Sequence, residues 1–237
     1  MFSKPITNLR GMGIDSYKLN DRNDYLRYCR PGHFWMEYLT GDHISSDAAL
    51  INGQIVWQAH ARGIAASAGT FDHWHILSES FVPLESCYRA WIEQHLKRYT
   101  GMVNIESIGG KIIEVHLRMI DQWPDLYGDG WLQAVVSLYG DANWPHDARP
   151  ARPAYSVVLF GPHGRNYTQP PDRLLRELKA NDDISSIQIT FNSNIPPAKH
   201  AMPPGGFRLA IVNSYSLYKA RSALAKLADF FDVPYAV

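Results

Sequence analysis

Between Phe34 and Gly63 the chain reads FWMEYLTGDHISSDAALINGQIVWQAHARG, short apolar or alternating runs broken at Thr40-Gly41-Asp42 and at Asn52-Gly53. Asn-Gly between two such runs is the strongest short-range hairpin signal, because both residues accept positive φ. The pattern predicts strands over about 34–39, 44–51 and 54–61. Further along, Leu84, Tyr88, Trp91, Ile92, His95, Leu96 and Tyr99 recur at spacings of three and four, which predicts an amphipathic helix over 84–99 ended by Gly101. Two strands, MVNIES and KIIEVHLR, follow with Gly109-Gly110 between them, and then a helix over 131–140.

The stretch 141–153, DANWPHDARPARP, is rich in proline and poor in apolar residues, so it reads as a loop or subdomain boundary. Beyond it YSVVLFG, SSIQITFN and FRLAIVNS read as strands, and PPDRLLRELKA and SLYKARSALAKLADFF as helices. Mixed hairpins with a few packing helices predict an α+β protein: an antiparallel sheet with its helices in residues 1–146, and a smaller α+β segment in 147–237.

A chain of 237 residues, 46% of them hydrophobic, has the material for one large core or two modest ones. Its 23 basic and 23 acidic residues leave no overall field to attract a polyanion, so neither nucleic acid nor a membrane surface is an expected partner. Cys29 and Cys87 form no CxxC pair, and neither an apolar leader nor a stretch of about 20 apolar residues is present. A soluble, cytoplasmic protein with reduced thiols is expected.

Candidate chemistry gathers in GGKIIEVHLR. Side chains alternate across a strand, so Glu114, His116 and Arg118 share one face, as do Asn104 and Glu106 on the strand before. A regular two-residue turn at Gly109-Gly110 would set Glu106 against Ile113 and send the two glutamates to opposite faces. An odd-length loop or a Gly bulge would set Glu106 against Glu114. Two opposed carboxylates repel unless a cation sits between them, whereas on a plain solvated face they would pair with Arg118 and Lys111. At the start of the chain, Lys4 with Gly11 and Gly13 could offer an ammonium and close backbone N–H groups to phosphates. His73 and His75 in FDHWHIL would share a strand face, and with His116 and Glu106 or Glu114 they would make up a metal hydrolase site.

Taken in order, KPITNLRGMG, FWMEYLTGDHISSDAALINGQIV, VNIES and KIIEVHLR resemble the ATP-binding half of the ATP-grasp superfamily of carboxylate-amine and related ligases, over about residues 3–140. The resemblance implies an ATP-grasp-like antiparallel sheet with a lid-like segment after it. It implies that Lys4 contacts the ATP phosphates ahead of a glycine loop at Gly11 to Gly13, and that Met36-Glu37-Tyr38-Leu39 is the hinge strand that meets the adenine. Asp42, or His43 beside it, falls near the ribose position, and Asp47 lies in the strand after it. Glu106 and Glu114 match the paired acids that bind Mg²⁺ or Mn²⁺, and Arg118 matches the arginine that closes the motif. Arg118 and His116 are therefore the catalytic candidates.

The implied reaction activates a small-molecule carboxylate as an acyl phosphate for attack by an amine or similar nucleophile. The sequence departs from the family in two places. His116 stands where the family usually has Asn, and no residues precede Lys4 for the family's substrate-binding domain and first phosphate-contacting lysine. Three readings follow from the second departure: a fragment, one part of a split enzyme completed by a partner chain or by another copy, or a non-catalytic ATP-binding or interaction module.

Overall fold

A computed structural model of the chain describes residues 1–7, 15–66, 71–146, 150, 152–200 and 206–235. It divides into two compact units, residues 1–41 and 42–237.

The first unit is a small sheet with one helix. Strand β1, Phe2–Pro5, is flanked antiparallel by β2, Tyr17–Lys18, and by β3, His33–Met36. Helix α1, Arg22–Tyr28, begins where the Asp21 carboxylate accepts from the backbone N–H groups of Asn23 and Asp24, at 2.8 and 2.9 Å. Strand β3 is shorter than the alternation predicts, because Met36 pairs with Phe2 and the partner strand ends there. Glu37, Tyr38 and Leu39 consequently follow β3 and do not extend it.

The second unit is built on one eight-stranded sheet. Strands β4, His43–Ile51, and β5, Gln54–Ala65, form the predicted hairpin through Asn52 and Gly53, whose φ of 49° and 76° are the values a two-residue turn of this hand requires. Gly53 also lies against other backbone: a Cβ there would sit 2.7 Å from the Leu96 carbonyl oxygen. Next come β6, Phe71–Ile76, helix α2, Val82–His95, β7, Gly101–Ile108, and β8, Lys111–His116. A 3₁₀ turn at Pro124–Tyr127 leads into helix α3, Trp131–Asp141. The rest of the chain supplies β9, Ala154–Gly161, helix α4, Asp172–Lys179, β10, Ile184–Ile189, β11, Phe207–Ser214, and helix α5, Leu217–Phe231.

The strand order is β10-β11-β9-β6-β5-β4-β7-β8, and every neighbouring pair is antiparallel. The expected division at 146/147 runs through this sheet, since β6 pairs directly with β9. The α+β expectation holds: the sheet is antiparallel and its helices pack on its faces.

Strand alternation sorts the core into layers. Ile44, Ala48, Leu50, Val103 and Ile105 point to one face and meet Leu84, Tyr88 and Ile92 of α2. On the same side, following the register through Arg62, His75 and Tyr155, the Val157, Leu159 and Val212 side chains meet Leu224, Leu227 and Phe231 of α5. Ala49, Trp57, Ala59, Ala61 and Met102 point to the other face. There they pack with Trp123, Tyr127, Trp131, Leu138 and Trp144. Among the described residues no helix is long and apolar enough to cross a membrane.

Candidate functional site

The β7–β8 hairpin decides where the polar side chains go. Gly109 and Gly110 take φ of 56° and 81° and close a two-residue turn that pairs Ile108 with Lys111. Continued without a break, this register would separate the glutamates. The pairing shifts between Glu106 and Ser107, however: Ser107 stands opposite Ile112, Glu106 opposite Glu114, and Ile113 is the extra residue. The glycines therefore make an ordinary turn, and the bulge that aligns the acids lies in the strand at Ile113, not at the glycines.

With that register Glu106, Glu114 and His116 stand on one face, and one ligand atom from each lies within 4.8 Å of the others. His116 Nε2 is 3.3 Å from Glu114 Oε1. His43, which the resemblance sets near the ribose, places its Nε2 2.9 Å from Glu106 Oε2. This contact was legible in principle: β4 starts at His43, one residue before the predicted start, and alternation then puts His43 on the same face as Ser45, the residue opposite Glu106.

Behind these side chains lies a buried carboxylate. Asp47, 1% exposed, accepts from Asn104 Nδ2 at 2.9 Å, from the Ile120 backbone N–H at 3.1 Å and from the Tyr127 hydroxyl at 3.0 Å. The Ile120 bond draws the chain off the line of β8 and across β7 to β4, so β8 ends at His116. Arg118 consequently lies in the bend after the strand, not on it, and its Nη1 donates to the Met119 carbonyl at 3.1 Å.

Burial pushes the Asp47 carboxyl up to about 6, while its hydrogen-bond donors and the Arg118 charge pull it down. Because the folded value lies above the ordinary 3.8, the native state binds this proton more tightly than the unfolded chain does. The contribution to stability is therefore full below about pH 4 and lost as the pH rises through about 6, roughly 3 kcal/mol in all. Asp47→Asn is expected to flatten this stretch of the profile, so that urea unfolding at pH 4 and at pH 6.5 differs less in the variant than in the wild type.

The other candidate residues have local partners of their own. Asp42 pairs with Arg62 Nε at 3.2 Å. Lys4, on β1, has its Nζ 6.0 Å from the Phe34 ring centre, within the first unit. Gly11 and Gly13 lie outside the described residues. His73 and His75 stand on the opposite face of the sheet from Glu106, as the pairings of Arg62 with His75 and of Ser45 with Glu106 require. His73 is held by Asp72 at 2.6 Å, and His75 stacks on Tyr155, so the hydrolase set is not assembled.

No family model matches the chain, and no curated protein matches it in sequence. Solved structures do match. The L-amino acid ligase from Bacillus licheniformis superposes with a TM-score of 0.66 at 12% identity, over 96% of this chain and 61% of that one. The N5-carboxyaminoimidazole ribonucleotide synthetase from Thermus thermophilus gives 0.59 at 11% identity, over 99% and 63%. The carboxyaminoimidazole ribonucleotide synthase from Aspergillus clavatus, complexed with ATP, gives 0.57 at 15% identity, over 98% and 62%. The chain spans 61–63% of the length of these structures. At such identities the likeness establishes architecture, and the architecture is that of the ligases the sequence resembles: the chain has the ATP-grasp fold.

Proposed function

We propose that the chain is the nucleotide-handling part of an ATP-dependent ligase. In the reaction, a carboxylate oxygen of a small-molecule substrate attacks the γ-phosphorus of ATP. ADP leaves, and an amine or similar nucleophile then attacks the acyl carbon and expels phosphate.

The observation that carries this reading is the convergence of Glu106 and Glu114 on one face through the bulge at Ile113. Two carboxylates directly opposed on a sheet destabilise it, and a site that keeps them together suits a divalent cation. The residues present fit such an ion: two carboxylates and an imidazole, all partly exposed. When bound, Mg²⁺ or Mn²⁺ would neutralise the nucleotide's phosphate charge. The chain's own residues have the remaining work. Glu106 is held by His43, and the segment from Met119 to Tyr127 is pinned by Asp47. Arg118 at the end of the hairpin supplies a cation for charge that builds up during phosphoryl transfer. No acyl-enzyme nucleophile is required, because positioning and electrostatics do most of this chemistry.

Calorimetry on the intact chain tests the reading. Titration with ATP in the presence of Mg²⁺ or Mn²⁺ is expected to give saturable heat, and to give much less when the divalent ion is withheld. Absence of heat under both conditions, with a folded chain, would overturn it.

A further inference from the structure

The third donor on the acidic face is an imidazole, and its surroundings suit it. His116 stands two residues beyond Glu114 on the same side of β8, directly opposite Asn104 of β7. Asn104 is 1% exposed. Its amide nitrogen donates to Ser45 Oγ at 3.0 Å and to Asp47 Oδ1 at 2.9 Å, both on β4. Those two acceptors fix which way the amide faces, since a carboxylate can only receive. With the nitrogen turned to β4, the amide oxygen is turned away from those acceptors.

Asn104 Oδ1 is buried and has no hydrogen-bond partner among the described residues. A buried acceptor left in that state is destabilising, so a donor that reaches it is favoured. Cβ atoms of directly opposed residues lie about 4.5–5.5 Å apart, which puts the His116 ring within reach.

A histidine that ligates a metal through one nitrogen carries its proton on the other, and that proton is normally given to an acceptor that fixes the ring. Here Nε2 already points to Glu114, at 3.3 Å, and Asn104 Oδ1 is an acceptor without a donor on the neighbouring strand. The remaining donors are arranged in the same manner, since Glu106 Oε2 is tied to His43 Nε2 at 2.9 Å.

We propose that this site takes a divalent first-row transition ion such as Mn²⁺ or Zn²⁺ in preference to Mg²⁺. His116 Nε2 is its third protein donor, and Asn104 Oδ1 receives the proton on Nδ1. The proposal rests on the reading of Glu106 and Glu114 as metal-binding acids. An imidazole in place of an oxygen ligand moves selectivity away from Mg²⁺, which favours an all-oxygen shell, toward borderline ions. Asn104 is a positioning residue, and its own orientation is set by Asp47.

The test uses the full chain stripped of metal by chelation and titrated with Mn²⁺, with electron paramagnetic resonance counting the free ion and its pulsed form detecting nitrogen bound to manganese. In competition, Mn²⁺ is expected to bind at least about tenfold more tightly than Mg²⁺, with a nitrogen coupling present. His116→Asn is expected to abolish the coupling and to narrow the preference, whereas His43→Gln keeps the coupling. Asn104→Leu is expected to weaken Mn²⁺ binding by roughly 10- to 100-fold and to change the size of the coupling, which a purely structural role would not do.

Mn²⁺ binding that is lost in Glu114→Gln but shows no nitrogen coupling overturns this inference and leaves the metal acids in place. So does a coupling that persists in His116→Asn. A chain that is folded by circular dichroism and binds neither ion overturns the assignment of the acids themselves, and this proposal with it.

Discussion

Trp131→Ala is expected to cost roughly 3–5 kcal/mol, the largest loss of stability from a single side chain in the aromatic core on the Glu106 side of the sheet. Trp131 is fully buried at the first turn of α3, its ring centre 4.9 Å from that of Tyr127, 5.6 Å from Trp57 and 6.3 Å from Trp144. Emptying that volume leaves a cavity the surrounding rings cannot close, because Tyr127 is also held by its bond to Asp47 and by the Trp123 indole N–H at 2.9 Å. A drop in melting temperature of roughly 6–20 °C corresponds to this cost for a chain of this size. Trp131→Phe separates packing from hydrogen bonding. The indole N–H of Trp131 is buried with no partner among the described residues, so phenylalanine removes an unsatisfied donor while keeping most of the ring. Calorimetric melting should therefore place Trp131→Phe well above Trp131→Ala; equal losses would mean that Trp131 contributes through its N–H.

Much of this architecture is readable in the sequence, and what is not has physical causes. The Asn52-Gly53 hairpin, α2, α3 and the three C-terminal strands with their helices follow from local periodicity and turn chemistry. Helix α2 stops at His95 instead of running to Tyr99, because the Tyr99 carbonyl is needed to accept from Gly53 N–H and its hydroxyl donates to the Met102 carbonyl. The pairing of β6 with β9 joins segments about 80 residues apart, and nothing in a local pattern encodes that partnership. The site shows the same division. Alternation puts Glu114 with His116 and Asn104 with Glu106, but the face the two pairs share depends on one extra residue, Ile113, whose bulge has no glycine to announce it. Trp57 is drawn into the cluster of Trp131, Tyr127 and Trp144 by the strand face it occupies, which local alternation alone does not distinguish from the other face. Asp47 gains its role from groups that arrive from β7 and from the segment after β8, so no spacing within β4 reveals it.

Glu114→Gln is expected to reverse its effect on stability when a divalent ion is added. In the absence of the ion, Glu114 stands directly opposite Glu106, and like charges in that position destabilise a sheet by about 0.2–1 kcal/mol, partly offset here by His43 and His116. Neutralising one of them while keeping its shape should leave the fold as stable as the wild type or slightly more so. Adding Mn²⁺ at about 100 times its dissociation constant would stabilise the wild type by roughly 2.7 kcal/mol through linkage, and the variant by much less. The two melting curves should therefore cross as the ion is titrated in. If the chain turns over ATP as proposed, the same substitution is expected to lower the rate by at least about 10²-fold, the scale of losing one preorganised electrostatic partner of the developing charge. Glu106→Gln should behave in the same way on both measurements. A variant that gains stability in the absence of the ion and loses both ion-dependent stabilisation and activity is the signature of a carboxylate kept for binding at the expense of the fold. Parallel melting curves for wild type and variant at every ion concentration would instead assign the pair to an ordinary solvated sheet face.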